Sequence, residues 1–150
     1  EGTHGIQSLD LLGRKVVQRD GASLAALHRA ITDSTAAGRR AGGEAADMAA
    51  QLDTVIGRLV AVTAGMFAAG DIEAALANSA IYLEAFGHIV IAWIWLEQLL
   101  AVDGRSGDFY DGKRAAARYF FRYELPKTGP QLDLLESLDR TTLEMRPDWF

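Results

Sequence analysis

Residues 81–100 read IYLEAFGHIVIAWIWLEQLL, and the interpretation of this run decides the fold. Ile81, Ala85, Ile89, Ala92, Trp93 and Leu96 form one helical stripe, while Ile91 and Trp95 lie on another. A surface helix carries a single apolar stripe; a helix apolar nearly all round is packed between layers or lies in lipid. The lipid reading fails on length. Glu84, His88, Glu97 and Gln98 interrupt the run, and the charge-free stretch 85–96 is shorter than the ~20 residues of a span. We therefore expect a buried central helix over about 72–102 and no transmembrane segment.

Outward from this helix the same periodicity gives about six helices and no strand. Ile6, Leu9, Leu12, Val16 and Val17 form a first stripe, beginning near Gly5 and stopped by Asp20-Gly21. Leu24, Leu27, Ile31 and Thr35 mark a second helix, which runs out in the loop signal Gly38–Gly43. A third carries Met48, Leu52, Val55, Ile56, Leu59, Val62, Met66 and Phe67, and Gly70 ends it. Asp71 is an N-cap for the central helix, with Glu73 favourable in its first turn. After Asp103-Gly104, Asp108 caps a helix bearing Phe109, Tyr110, Tyr119, Phe120, Phe121 and Tyr123, until Pro126 stops it. Thr128 and Pro130 open a short last helix with Leu132, Leu134, Leu135 and Leu138. The tail ends in Trp149-Phe150, too apolar to be left without a partner surface. Short loops make successive helices antiparallel. The expected fold class is all-α: an up-down antiparallel helical bundle of about five to six helices.

Apolar residues are 49% of the 150, enough to build a core for one domain, or for one small domain plus a piece of another. A net charge of −5 is the wrong sign for neutralising phosphates, so no nucleic acid partner is expected. With no Cys there is no disulfide, thiolate zinc site or thiol nucleophile, which suits a reducing cytoplasm.

The internal motifs carry little chemistry. GDFYDGKR (107–114) approaches a phosphate-binding loop, but Arg114 replaces the Ser or Thr that holds Mg²⁺, and Asp108 and Asp111 would repel phosphate. A capped helix start explains it better. A di-iron bundle needs two Glu-x-x-His pairs on separate helices, and only His4 follows a Glu by three, while His28 and His88 do not, so the second pair is missing and no metal site is expected. Glu84 and His88 have the spacing of an ordinary helical pair; we expect His88 to be a satisfied core histidine rather than a buried base. The aromatic residues of the fifth helix are expected to pack, and Arg39-Arg40 to be a solvated helix end.

Only the opening stretch, EGTHGIQ (1–7), remains. Glu-Gly-Thr-x-x-Ile-Gln leading into a helix resembles the C-terminal active-site segment of flavin-dependent acyl-CoA dehydrogenases, where Tyr precedes the Glu. Glu1, Gly2, Thr3, Ile6 and Gln7 match. LDLLGRKVVQRDG (9–21), ALANSAIYLEAFGHIVIAWIWLEQLL (75–100), DFYDGKRAAARYFFRYELP (108–126) and SLDRTTLEMRPDWF (137–150) are similar to the subgroup with an additional C-terminal helical domain. Two positions depart: Ile81, where relatives often have Pro, which puts a kink there in question, and Gly5, where many simpler members have Gln near the flavin.

The resemblance implies that residues 1–20 end the dehydrogenase catalytic core and 21–150 form the accessory bundle. It implies Glu1 as the base that removes the pro-R α-proton of an acyl-CoA while the β-hydride passes to the flavin. Gly2 would lie against the substrate thioester, and Thr3, His4 and Gly5 would approach FAD. The residue types suit these tasks. A carboxylate in a dry pocket has its pKa raised towards working pH, Gly admits close backbone approach, and free N–H groups suit a pyrophosphate. It further implies a cytoplasmic enzyme of fatty acid metabolism. An electron-transferring flavoprotein and the rest of the dehydrogenase chain would be its partners, and it would be a homo-oligomer. The present chain is then expected to be an inactive fragment. The other reading is a non-catalytic helical interaction domain in which the opening motif is coincidence.

Overall fold

The computed structural model describes residues 2–150, and among them finds seven α-helical segments and no strand. They are α1 (His4–Asp10), α2 (Gln18–Ala41), α3 (Gly43–Ala68), α4 (Ile72–Ala77), α5 (Ser79–Ala101), α6 (Asp108–Tyr119) and α7 (Thr128–Ser137). The all-α bundle expected from periodicity is what forms. Helix α5 is its axis, touching each of the other six. Its inner stripe of Tyr82, Ala85, Ile89, Ala92, Leu96 and Leu99 is buried, against Ile31 of α2, Leu52, Ile56 and Leu59 of α3, and Leu132 and Leu135 of α7.

The central helix departs from its expected form in two ways. It is broken at Asn78, which leaves the helical region (φ −100°, ψ 16°) and separates α4 from α5. Asn78 is buried, and its side-chain amide donates to the carbonyl of Asp139 at 2.8 Å. The break therefore fastens the chain after α7 to the core, three residues before Ile81. Second, Ile91 and Ile94 are exposed, so α5 is covered on several sides but not all round. It is long and apolar enough to cross a membrane by length and composition, yet it packs here as a core helix. Asp71 caps α4 as expected, accepting from the Ala74 N–H at 3.0 Å.

The Gly38–Gly43 loop shrinks to a joint. Helix α2 runs to Ala41, and Gly42 and Gly43 (φ 78° and 50°) turn the chain into α3. Gly38 is a crossing point rather than a breaker: a Cβ there would lie 2.9 Å from Ala49 Cβ and 3.0 Å from the Ala45 carbonyl oxygen. Polar clasps lock the same layer. Thr35 donates to Asp53 at 2.6 Å, Arg39 pairs with Asp53, and Trp93 of α5 donates its indole N–H to Ser34 at 2.7 Å. Arg39 is thus half-exposed but engaged, not merely solvated. Tyr82 is buried with its hydroxyl 2.8 Å from Thr63, whose own proton goes to the Leu59 carbonyl, so Tyr82 is the donor between them. Burial pushes the Tyr82 pKa up to about 12.

Helix α1 continues into a π-helical turn at Leu11–Lys15, closed by the Val16 N–H on the Leu11 carbonyl at 3.0 Å. The chain then passes through left-handed geometry at Arg19, Asp20 and Gly21 before α2 becomes regular, so the expected stop at Asp20-Gly21 is real. Helix α6 likewise ends in a π-helical turn (Phe120–Glu124), and Pro126 lies in the 3₁₀ turn Leu125–Lys127 that follows. Its N-cap is Gly107 (φ 111°) rather than Asp108, which is already helical and makes no capping bond. Of its aromatic residues Phe121 is buried, whereas Phe109, Tyr119 and Tyr123 are exposed. The packing expected of that set holds for only part of it. Trp149 and Phe150 are exposed as well.

Candidate functional site

The opening segment lies where α1 meets the start of α5. Glu1, the expected base, lies outside the described residues. Gly2 and Thr3 form a turn, and His4 begins α1. All of 2–7 are exposed, and no atom lies within 4 Å of where a Cβ would stand on Gly2 or Gly5. Thr3 makes no side-chain capping bond, and the first turn of α1 carries no acid. The structure thus groups Gly2, Thr3, His4 and Gly5 on one accessible, polar strip.

The apolar stripe expected of this helix is turned the other way. Ile6 is 66% and Leu9 48% exposed, while Leu12 and Val16 are buried. The π-helical turn explains the change: its wider turn begins at Leu11, so the register that carries Leu12 inward differs from the one running through Ile6 and Leu9. What α1 does bury is Ser8, at 1% exposure. Its hydroxyl donates to the Gly5 carbonyl at 2.9 Å and lies 3.1 Å from the hydroxyl of Ser79, the first residue of α5. Sequence reading missed this contact, because two serines 71 positions apart send no joint signal.

The strip can offer unobstructed backbone and a hydroxyl to a bound anionic group. It has too few walls to enclose one. A groove of about 440 Å³ lies elsewhere, lined by Val16, Val17, Leu24, Val60 and Phe67 with Asp20, His28 and Thr63, and none of residues 2–7 lines it.

The remaining sequence candidates resolve simply. Arg114 folds back onto its own loop, donating to the Val102 carbonyl at 2.9 Å, also to the Arg105 carbonyl, and to Asp111 at 2.8 Å. Lys113 lies over the rings of Trp95 and Phe109. These contacts fit a helix start better than a phosphate cradle. Among the described residues no three His, Asp or Glu side chains cluster as metal ligands. His88 is half-buried rather than in the core. Its Nδ1 bonds the Glu84 carbonyl at 2.8 Å and its Nε2 is 3.6 Å from Glu124. Lys127, and secondarily His88, hold the Glu124 carboxyl below its ordinary pKa.

Residues 23–146 match the family described as acetyl-CoA dehydrogenase C-terminal like. The chain is 32% identical to the broad-specificity linear acyl-CoA dehydrogenase of Mycobacterium tuberculosis over 97% of its own length, and spans 26% of that relative.

Proposed function

This chain belongs to the acetyl-CoA dehydrogenase C-terminal-like family, and from that premise we propose that it acts as the C-terminal part of a longer, FAD-dependent acyl-CoA dehydrogenase. The observation that carries the proposal is the match to a dehydrogenase over 97% of the chain. We assign residues 1–20 to the catalytic core and 21–150 to the accessory bundle; the left-handed joint at Arg19–Gly21 supports that boundary.

The residues present fit one edge of a flavin and substrate site: accessible glycine backbone, a Thr3 hydroxyl that makes no capping bond and no acid in the first turn of α1. When bound, FAD supplies a hydride acceptor for the β-carbon of the acyl chain. The chain's own work lies on the α-carbon. Glu1 takes the α-proton, forming an O–H bond as the C–H bond breaks, a task for which a carboxylate is a suitable general base. Gly2 lets the backbone approach the thioester, since any side chain would hold it off. Thr3, His4 and Gly5 present donors towards the cofactor. Linear acyl-CoA thioesters are the substrate class proposed from the relative's name. An electron-transferring flavoprotein, a homo-oligomeric state and a cytoplasmic location complete the reading. The bundle adds no span of the membrane, because α5 is spent on the core.

The test is made in the full-length dehydrogenase. Glu1→Gln leaves FAD bound and abolishes substrate-dependent flavin bleaching; unimpaired bleaching removes Glu1 from its role. The 150-residue chain alone purifies without flavin and without turnover, and a yellow, active preparation of it would refute the assignment as a part.

A further inference from the structure

We propose that Ser79, at the start of α5 in the accessory bundle, is a positioning residue for the opening segment and acts through Ser8 and Gly5. The inference rests on the reading of residues 1–5 as part of an active site. Ser8 has one hydroxyl proton, and that proton is given to the Gly5 carbonyl at 2.9 Å. The 3.1 Å contact between Ser8 and Ser79 is then made by the proton of Ser79. A directed chain results: Ser79 O–H to Ser8 Oγ, Ser8 O–H to the backbone of Gly5.

Within α1 itself the buried anchor is Ser8, and the next buried residues along the chain are Leu12 and Val16 in and after the π-helical turn. Ile6 and Leu9 face solvent, and Ser8 is the one buried side chain of the helix. An apolar contact would leave the helix free to slide and rotate, since hydrophobic attraction is non-directional. A hydroxyl pair at 1% and 5% exposure sets both the axial position and the rotation of α1, because a hydrogen bond weakens steeply off its preferred angle. The far end of the chain is anchored in turn. Asn78 precedes Ser79, breaks α4 from α5, and is tied to the Asp139 carbonyl at 2.8 Å. The break puts the first turn of α5 where Ser79 can reach α1. The accessory bundle thereby fixes the geometry of a segment that its own sequence does not contain.

The experiment uses the full-length flavoenzyme and four variants: Ser79→Ala, Ser8→Ala, the double change, and Ser79→Thr, which keeps the hydroxyl. Flavin content, Tm, kcat and KM are measured with Glu1→Gln as the control. Ser79→Ala lowers kcat about 10-fold with KM and flavin content near wild type, a loss typical of a misplaced reacting group. Ser8→Ala lowers it as much, the double variant no further, and Ser79→Thr restores it; that non-additivity identifies one shared contact. Wild-type kcat in Ser79→Ala together with a lowered Tm reduces the pair to a structural role and overturns the proposal. If Ser79→Ala does not accumulate, Ser8→Ala decides alone, and unchanged kcat in it overturns the proposal equally. Loss of turnover in Glu1→Gln with full turnover in both serine variants sinks only the positioning role. Retained turnover in Glu1→Gln sinks the reading beneath it as well.

Discussion

Where α2 crosses α3, a Cβ on Gly38 would lie 2.9 Å from its nearest neighbour, whereas around Gly2 and Gly5 the same position has no atom within 4 Å. The two regions are glycine-bearing for opposite reasons. At Gly38 the missing side chain lets two helices of 24 and 26 residues close together, and the gain is dispersion and buried area. At Gly2 and Gly5 it leaves an approach open from outside. The centre is closely packed on all sides, whereas the opening segment is exposed and its buried contact is the Ser8–Ser79 pair, so equal changes in the two places have unequal effects.

The largest effect is expected in the centre. Ile56→Ala opens a cavity between α3 and its neighbours and costs about 2–5 kcal/mol in urea denaturation. A smaller value means that this layer collapses around the gap and is not rigidly packed. Gly38→Ala follows, at about 1–3 kcal/mol, because the added methyl meets the Ala45 carbonyl, which is backbone and cannot turn aside. An Ala variant as stable as the parent would show that the two helices can separate freely.

Tyr82→Phe removes the donor to Thr63 and costs about 0.5–1.5 kcal/mol at neutral pH. It also changes the alkaline limb. Burial raises the Tyr82 pKa in the folded state, so its contribution is fully present below about pH 10 and is lost as pH climbs towards 12. The Phe variant should lose less stability across that window than the parent; parallel pH profiles would show that Tyr82 ionises without unfolding.

At the joint between the regions the sign reverses. Arg19 holds a left-handed conformation that strains an L side chain, and Arg19→Gly should stabilise by about 0.5–1 kcal/mol. No gain there would mean that the strain is absorbed by neighbouring contacts. Ile6→Ala is the smallest change, below about 0.5 kcal/mol, because the side chain is already in water. A cost like that of Ile56→Ala would erase the distinction between the two regions.

Periodicity makes most of the centre legible in the sequence. The stripes through Leu52, Ile56, Leu59, Ile89 and Leu96 are buried as their spacing requires, since each depends only on local helix geometry. The misreadings share a cause. Gly38 signals a loop locally, and only the approach of Ala45 and Ala49 makes it a packing position. Asn78 reads as an ordinary residue within a helix until its partner, the Asp139 carbonyl 61 residues on, is known. Ile6 and Leu9 continued a stripe that a π-helical turn rotated. The candidate site was legible only as a short motif, through resemblance. Its anchoring by Ser8 and Ser79 was not, because that contact spans 71 positions.

The short joint at Gly42-Gly43 bears on how the molecule assembles. It makes α2 and α3, the most extensive helix pair in the structure, neighbours along the chain as well. Contacts of short sequence separation form with the least loop closure, so this hairpin is placed to nucleate folding and α5 to condense upon it. Substitutions at Ile31 and Ile56 should accordingly slow refolding, whereas substitutions at Ser8 should mainly speed unfolding, a difference that stopped-flow chevrons resolve. The segment that carries the site would then be the last to dock and the first to leave.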